Sequence, residues 1–218
     1  MIKGVLFDLD GTLLDSAPDF VFCLNHLLQR FSIPDVDIKL IRGKISDGSS
    51  SLIELGFGAE VEKEKLSSLK EDLLKLYEDN LLRFGEVFKG VGSLIKYLED
   101  QNISWGIVTN KPVRYARRII NECEELHSCQ ILICPEDISI TKPAPEGILL
   151  ACEKLSLDPK DVIYVGDHMN DIKAAEHAGA IAIGCTYGYA LTNTNIPKRH
   201  LNARSINELE QHIKSLLK

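Results

Sequence analysis

Two aspartates near the start of the chain, Asp8 and Asp10, have the type and spacing to do chemistry together. They follow a short apolar run, and residues two apart on a strand point to the same side, so both carboxyl groups can converge on one small volume. Two like charges this close need a cation or a shared proton to offset them. A divalent cation with oxygen ligands would do so, and Mg²⁺ is the usual choice beside phosphate. A metal-free acidic turn before a helix is the alternative interpretation.

Three further groups of polar residues follow apolar runs later in the chain. Thr109 and Asn110 offer neutral donors suited to phosphate oxygens, although an ordinary turn contains the same residue types. Lys142 precedes a proline that favours an extended backbone, which would fix its ammonium beside a phosphoryl group; an exposed lysine is the alternative. Asp167 and Asp171, four apart, would share a face at a helix start, where acidic residues also simply stabilise the helix N-terminus.

The hydrophobic pattern predicts an α/β fold around these residues. Short apolar strands alternate with helices, and the strands are predicted at residues 3–9, 103–109, 130–134, 162–165 and 181–183. Such alternation predicts a doubly wound parallel sheet covered by helices on both faces. A polar loop over residues 192–200 and a helix over 206–217 would follow. Ligands of these sheets bind outside the carboxyl ends of the strands, which is where the polar groups fall.

A long segment after the first strand interrupts this alternation with helices alone. The spacing of its apolar residues predicts helices over residues 17–31, 38–45, 52–55 and 60–82. Ser16 and Asp19, three apart, have the spacing of a capping box at the first of them. We therefore predict a core domain formed by residues 1–15 and 86–218, with a helical domain, residues 16–85, inserted into it.

Composition limits the class of protein. The 218 residues include 25 basic and 32 acidic ones, and the net charge of −7 argues mildly against a nucleic-acid partner. Lys111 and Arg114 either add positive potential beside Thr109 or are solvated surface charges. We see no secretory signal and no run that could span a bilayer, so we expect a reduced, cytoplasmic protein without a membrane partner. The cysteines lack metal-ligand spacing, and most of them fall in apolar runs that suit small core positions. They are Cys23, Cys123, Cys129, Cys134, Cys152 and Cys185. The sequence carries no signal that indicates an oligomeric state.

Together the polar groups resemble, in order and placement, the four motifs of the haloacid dehalogenase-like (HAD) superfamily. The segment from Asp8 to Leu13 resembles its first motif, Thr109 the second, Lys142 to Pro145 the third and Gly166 to Asp171 the fourth. The resemblance covers the whole chain and implies a phosphatase of the superfamily acting on a small phosphate ester. It also implies that the inserted helices are the C1 cap of that superfamily.

The resemblance implies how the reaction would proceed. Asp8 would attack phosphorus to form an aspartyl-phosphate. Asp10 would give a proton to the leaving alcohol and then take one from the water that hydrolyses the intermediate. Thr109, Asn110 and Lys142 would bind the phosphoryl group and stabilise its charge.

The same resemblance implies a Mg²⁺ site. The Asp8 carboxylate, the backbone carbonyl of Asp10 and Asp167 would be its ligands. Asp171 would act through water or by orienting its neighbours. His168 stands where many relatives carry serine, and both a substrate contact and a packing role are open for it.

A narrower resemblance is to the phosphoglycolate phosphatase-like branch, and within it to enzymes that dephosphorylate N-acetylmuramic acid 6-phosphate. Residues 105–114, 132–135 and 187–189 carry it. They belong mostly to the predicted core, so they indicate kinship more than substrate. We expect the sugar acid phosphate as substrate, with phosphoglycolate as the alternative.

Residues 42–51 of the insert are rich in glycine and hydroxyls, as a loop that reaches into an active site would be; a solvated connection is the alternative. In such a loop Arg42 or Lys44 could pair with a substrate carboxylate. Ser46 and Asp47 would suit the hydroxyls of a sugar. Both candidate substrates carry a carboxylate, so the two cations do not separate them.

Other members of the superfamily fit the sequence less well. Haloalkanoic acid dehalogenases generally lack the second acid, so Asp10 argues against that activity. Sugar phosphomutases often carry valine and isoleucine where this chain has Thr12 and Leu13. A degenerate domain that only binds a partner remains the alternative of another class, although every motif acid and the motif lysine are present. A metal-dependent phosphatase assay discriminates.

Overall fold

The computed structural model describes residues 1–192, 195–197 and 199–218. They form two compact units, one of Met1–Leu14 with Val87–Lys218 and one of Asp15–Glu86. None of the helices in this described part has the length and apolar character that a membrane crossing requires.

Strands and helices together account for most of the described chain. In chain order, the strands are β1 (Gly4–Phe7), β2 (Leu14–Asp15), β3 (Glu86–Val87), β4 (Ser104–Val108), β5 (Leu132–Ile133), β6 (Val162–Gly166), β7 (Ile181–Cys185) and β8 (Leu201–Ala203). The helices are α1 (Ala17–Gln29), α2 (Ile38–Arg42), α3 (Ser49–Phe57), α4 (Lys63–Asp79), α5 (Val91–Asp100), α6 (Val113–Glu122), α7 (Glu146–Leu155), α8 (Met169–Ala178) and α9 (Ile206–Leu216).

The first unit is built on a six-stranded sheet in the order β5-β4-β1-β6-β7-β8, and every neighbouring pair is parallel. Every residue of β1 is buried, as expected for a central parallel strand covered on both faces. Helices α7 and α8 pack together against the sheet, and α5 contacts α9. The doubly wound α/β fold predicted from the sequence is confirmed.

The register of β1 decides what lies beside the first motif. Phe7 pairs with Ile107 of β4 on one side and with Val165 of β6 on the other. Since parallel strands end at the same edge of a sheet, the residues that follow all three strands meet there. The segments after Phe7, Val108 and Val165 therefore share the carboxyl edge at the centre of the sheet.

Strand β8 was not expected from the sequence. It has three residues at the sheet edge, of which only Ala203 is buried, so it shows no apolar run. The predicted strand over residues 130–134 is also reduced to the two residues of β5. The polar loop predicted over residues 192–200 includes Asn193, Thr194 and Lys198, which lie outside the described residues.

In the second unit, helices α1, α3 and α4 pack on one another. Phe20 of α1 stacks on Tyr77 of α4 with ring centroids 4.1 Å apart. Helix α3 is longer than the predicted 52–55 and runs through Gly56, where an added Cβ would lie 2.9 Å from Leu28 Cδ2 of α1. A glycine inside this helix is therefore explained by the close approach of α1 and α3.

The capping box predicted for Ser16 and Asp19 is wrong. Ser16 makes no side-chain cap, and in the described part of the chain its buried hydroxyl oxygen has no hydrogen-bond partner. The buried Asp19 carboxylate instead accepts three backbone N–H groups from the segment after α4, those of Leu82 at 2.9 Å, Phe84 at 2.7 Å and Gly85 at 3.1 Å. Asp19 thereby ties the end of this unit to α1, 63 to 66 residues earlier in the chain.

Candidate active site

Asp8 is the first residue after β1, and the sheet fixes its backbone. Its N–H donates to the Val165 carbonyl of β6 at 2.8 Å. The chain then turns at Gly11, whose φ of +76° favours glycine. A Cβ on Gly11 would also lie 2.3 Å from Asp167 Oδ2. The turn after the first motif therefore needs glycine for its backbone and for its approach to Asp167.

Lys142 connects the two acidic motifs. Its Nζ lies 2.9 Å from Asp8 Oδ1 in an ion pair, and it donates to Asp171 Oδ1 at 2.7 Å and to the Tyr164 hydroxyl at 2.9 Å. Three partners match the three protons of an ammonium group. Burial by itself would lower the pKa of Lys142, but Asp171 and Asp8 hold that pKa well above its usual value. The lysine is thus a fixed positive charge beside Asp8.

Asn110 contacts the backbone of Lys142 twice. Its Nδ2 donates to the Lys142 carbonyl at 3.1 Å, and its Oδ1 accepts the Lys142 N–H at 3.1 Å. Thr109 is buried at the end of β4, and its Oγ1 accepts the Lys111 N–H at 3.2 Å. The structure thus places Thr109 and Asn110, two of the three predicted phosphate-binding residues, at the carboxyl edge, with the amide of Asn110 holding the backbone of the third, Lys142.

Asp8, Asp167 and Asp171 form a compact acidic cluster. One carboxylate oxygen from each lies within 4.8 Å of the others. Asp171 is tied down on both sides, since Oδ1 accepts from Lys142 and Oδ2 accepts the His168 N–H at 2.9 Å. Asp167 Oδ2 accepts the Tyr189 N–H at 2.7 Å, but its buried Oδ1 has no hydrogen-bond partner among the residues that the structure describes. Asp8 Oδ1 is held by Lys142 Nζ at 2.9 Å.

The electrostatics of this cluster suit a cation. Burial raises the pKa of Asp8 to about 6, a rise that the nearby Lys142 limits. Burial, reinforced by the charges of Asp171 and Asp8, also raises the pKa of Asp167 well above its usual value. Carboxylates in such a position are ionised together only when a cation offsets them. Asp167 Oδ1, which has no hydrogen-bond partner within the described part of the chain, therefore fits a hard divalent cation with oxygen ligands beside Asp8.

Asp10 lies outside that cluster, and its carboxylate contacts Lys111. Lys111 Nζ lies 2.9 Å from Asp10 Oδ1 and 3.0 Å from Oδ2. Lys111 is buried, whereas Arg114 is exposed. Of the two interpretations offered for these cations, the solvated surface charge is wrong for Lys111. Sequence reasoning did not include Lys111 among the site residues, although its place two residues after Thr109 was a signal.

Three residues between β7 and β8, Tyr187, Gly188 and Tyr189, also belong to the site; the sequence indicated them only as carriers of the family resemblance. A Cβ on Gly188 would lie 2.4 Å from Asp167 Cβ and 2.4 Å from the Gly11 carbonyl oxygen. Tyr189 donates its N–H to Asp167, and the preceding Tyr187 hydroxyl donates to the Thr12 carbonyl at 2.9 Å. The only signal in the sequence was a glycine between two tyrosines after an apolar strand.

His168 has a structural role in the arrangement. Its Nδ1 accepts the Asn170 N–H at 3.1 Å, while its own N–H donates to Asp171. His168 and Asp171 thus form a reciprocal cap at the start of helix α8. This cap orients Asp171 toward Lys142. The structure thus favours the packing role over a substrate contact for His168.

The four predicted specificity residues belong to the second unit. Arg42 Nη1 lies 3.1 Å from Asp15 Oδ2, and Lys44 Nζ lies 3.0 Å from Asp47 Oδ2. Ser46 and Asp47 form part of a single 3₁₀ turn, and α3 begins two residues after it. The segment is therefore mostly helical, and both of its cations pair with acids of the same unit.

Comparison with known proteins agrees with this geometry. The family model for haloacid dehalogenase-like hydrolases matches residues 5–185. An N-acetylmuramic acid 6-phosphate phosphatase from Pseudomonas putida is 38% identical over 188 residues, covering 86% of this chain and 84% of the relative. A phosphoglycolate phosphatase from Xanthomonas campestris pv. campestris is 35% identical over 189 residues, covering 87% and 85%.

A solved structure is similar along nearly the whole chain. The crystal structure described as a predicted phosphoglycolate phosphatase from Haemophilus somnus superposes with a TM-score of 0.85 at 27% identity, covering 97% of this chain and 98% of that one. The family match extends from β1 to the end of β7 and includes all four motifs. The chain therefore belongs to the haloacid dehalogenase-like hydrolase family and is one of its phosphatases.

Proposed function

We propose that this phosphatase is a Mg²⁺-dependent phosphomonoesterase that works through an aspartyl-phosphate on Asp8. The observation that carries the proposal is the meeting of Asp8, Asp167 and Asp171 around Lys142 at the carboxyl edge of the sheet. A nucleophilic carboxylate, a fixed cation and further acidic oxygens that could hold a metal ion are what transfer of a phosphoryl group to an aspartate requires.

Asp8, Asp167 and the backbone carbonyl of Asp10 would hold the metal ion, with Asp171 supporting it indirectly. When bound, Mg²⁺ supplies positive charge that offsets the carboxylates and polarises the phosphoryl oxygens. The pKa values of Asp8 and Asp167, raised by burial, are the expected counterpart of a site built for a cation.

In the first half-reaction a carboxylate oxygen of Asp8 forms a bond to phosphorus, and the bond between phosphorus and the ester oxygen breaks. Asp10 gives its proton to that leaving oxygen, which departs as an alcohol. Lys142 stays beside Asp8 and stabilises negative charge on the transferring group. Asn110, which holds the Lys142 backbone at both its N–H and its carbonyl, keeps this charge in place.

In the second half-reaction water attacks phosphorus, and Asp10 accepts the proton that the water loses. The bond between phosphorus and Asp8 breaks, which releases inorganic phosphate and the free carboxylate. We propose that residues 16–85, the helical insertion, act as a cap that excludes bulk water during transfer. The reaction would take place in the cytoplasm, on a small molecule.

We propose N-acetylmuramic acid 6-phosphate as the substrate. The relative with that activity in its name is 38% identical, and the hydroxyls of residues 46–51 suit a sugar. Phosphoglycolate is the second candidate, supported by a 35% identical relative of that name and by the similar solved structure.

The deciding experiment compares kcat/KM for the two compounds on one preparation, with other sugar phosphates as controls. A preference for the sugar acid phosphate supports the proposal, and a clear preference for phosphoglycolate assigns the second candidate. Exhaustive chelation should abolish turnover, and restored Mg²⁺ should recover it. Full activity after chelation, or no hydrolysis of any phosphate ester, would contradict the mechanism.

A further inference from the structure

Lys111 binds the carboxylate of Asp10 through both of its oxygens, at 2.9 and 3.0 Å. We propose that Lys111 is the positioning residue of the proton-transfer group: it fixes the orientation in which Asp10 meets the leaving oxygen and then the attacking water. The inference rests on the proposed function and adds a lysine to it. The site then has two buried lysines with separate tasks, Lys142 on the nucleophile and Lys111 on Asp10.

Burial decides between this task and direct recognition of a substrate anion. The Lys111 side chain is only 5% exposed, whereas that of Asp10 is 18% exposed. A substrate carboxylate that approached Lys111 Nζ would compete with Asp10, while the more exposed Asp10 keeps access to a reacting group. The ammonium therefore acts on the reaction through Asp10.

The backbone under Lys111 is anchored to the sheet. Thr109 donates its N–H to the Ile133 carbonyl at 3.0 Å, and its Oγ1 accepts the Lys111 N–H at 3.2 Å. A lysine stem normally has high rotational freedom, but this one is buried from an anchored backbone to a paired tip. The lysine side chain is already ordered in the folded protein, so no further entropy is lost on ordering it when substrate binds. Asp10 is therefore preorganised.

Contact at two oxygens allows the same orientation in both half-reactions. When one oxygen of Asp10 carries the proton for the leaving alcohol, the other oxygen keeps its contact with Lys111. The O–H bond of Asp10 breaks as the ester oxygen takes the proton, and an O–H bond forms again when the water is deprotonated.

The test uses leaving groups that differ in their need for a proton. An alkyl oxygen needs the proton from Asp10, whereas 4-nitrophenolate leaves without one. The alkyl phosphate is whichever of N-acetylmuramic acid 6-phosphate and phosphoglycolate the wild type prefers. We expect Lys111→Met to lower kcat/KM for this compound by about 100-fold, since general acid catalysis contributes about 10²- to 10⁴-fold. For 4-nitrophenyl phosphate the loss should stay below about fivefold, because kcat/KM includes only the steps through the first phosphoryl transfer.

Two variants serve as controls. Lys111→Arg keeps a cation beside Asp10 and should recover most of the alkyl phosphate activity. Arg117→Met removes an exposed cation of α6 and should leave both values of kcat/KM unchanged. Should Lys111→Met fail to fold, Lys111→Gln is compared in the same way, with thermal melting as the check of folding.

The outcomes separate the inference from the proposed function. Equal losses on both substrates would show that Lys111 only supports the structure, and no loss on either would show that Asp10 needs no positioning; each overturns the inference alone. A wild type that hydrolyses neither phosphate would overturn the proposed function and the inference with it. A selective loss on the alkyl phosphate, recovered by arginine, supports the inference.

Discussion

The side chain of Asn110 and the backbone of Lys142 form a closed pair of hydrogen bonds, each 3.1 Å long. The two residues are 32 positions apart in the sequence, and the contact joins the segment after β4 to the segment before α7. Since Lys142 Nζ in turn contacts Asp8 and Asp171, the position of the ammonium depends on this amide. The relationship predicts that Asn110 contributes to catalysis through Lys142.

We expect Asn110→Ala to lower kcat by at least about tenfold, a barrier change of about 1.4 kcal/mol, because the lysine backbone loses both contacts. The measurement is kcat for 4-nitrophenyl phosphate in Asn110→Ala, Lys142→Met and the double variant. If Asn110 acts only through Lys142, its loss costs little once Lys142 is already replaced. Additive losses would instead indicate that Asn110 contacts the phosphoryl group directly.

Asp8→Asn should abolish turnover and leave the fold intact, because it removes the nucleophile and keeps the shape of the side chain. Activity within about tenfold of the wild type, about 1.4 kcal/mol in the barrier, would contradict the covalent mechanism. The stability of Asp8→Asn, compared with that of the wild type, also tests whether the negative charge of Asp8 destabilises the acidic cluster.

The pKa of Asp8 is raised from 3.8 to about 6 by burial, so the folded state holds this proton more tightly than the unfolded state. The stabilisation from that proton is fully present below about pH 4 and is lost as pH rises through about 6. In chelator at pH 7.5, Asp8→Asn should therefore be more stable than the wild type, by up to about 3 kcal/mol. Thermal melting of both proteins from pH 5 to 7.5 measures this; parallel curves would contradict it.

The sequence located the fold and the motif residues because both leave local signals. Apolar runs marked five of the strands in the sheet, and polar residues after Phe7, Val108 and Val165 marked the edge at which they end. Strand β8 left no such signal, since only one of its three residues is buried. Strand β8 forms by pairing with β7, and a pattern of neighbouring residues does not indicate such a pairing.

The contacts of individual side chains were harder to predict, because they depend on residues distant in the sequence. Asp19 had the spacing of a capping residue but accepts its hydrogen bonds more than 60 residues away. Lys111 and Arg114 are both cations just after β4, and only the direction of the chain there makes Lys111 buried and Arg114 exposed. The importance of Gly188 lies in its packing against Asp167 and Gly11, which a single sequence does not show.

Gly188→Ala should weaken metal binding. Its Cβ would lie 2.4 Å from Asp167 Cβ and from the Gly11 carbonyl oxygen, so the loop or Asp167 must move. We expect the apparent Mg²⁺ activation constant to rise at least about tenfold, about 1.4 kcal/mol of binding free energy, and the Mg²⁺-induced rise in Tm to shrink. Gly43→Ala is the control, since its Cβ would meet nothing nearer than 3.6 Å. An unchanged Mg²⁺ response in Gly188→Ala would show that the loop does not position Asp167.

Asp19→Ala should destabilise the helical unit. It leaves the backbone N–H groups of Leu82, Phe84 and Gly85 without their partner, and the loss of a buried network of this kind costs about 3 kcal/mol. Urea denaturation measures the change in unfolding free energy. Asp37→Ala is a suitable control, because that exposed carboxylate accepts a single helix N-terminal N–H, from Lys39 at 2.8 Å. Similar small losses in both variants would show that the Asp19 contacts are weak.

Residues 42–51 of the helical unit are the segment for which we predict a role in substrate choice. In the structure Arg42 pairs with Asp15 and Lys44 with Asp47, so any contact of these cations with a substrate carboxylate would replace an existing ion pair. The serine hydroxyls of this segment are then the better candidates for contacts with a sugar, whereas Asp47, like Lys44, would exchange its ion pair for such a contact. Changing Ser46, Asp47 and Ser49 together to alanine should therefore lower kcat/KM for N-acetylmuramic acid 6-phosphate by at least about tenfold, about 1.4 kcal/mol.

The same triple variant should change kcat/KM for 4-nitrophenyl phosphate by less than about twofold, because an aryl phosphate offers no sugar hydroxyls. Glu64, Lys65 and Asp72, three residues of α4 that are exposed on the same unit, give a matched control when changed together to alanine. Equal losses on both substrates would show that residues 46–49 support the helical unit without choosing the substrate. A selective loss on the sugar acid phosphate would show that residues 46–49 distinguish N-acetylmuramic acid 6-phosphate from phosphoglycolate.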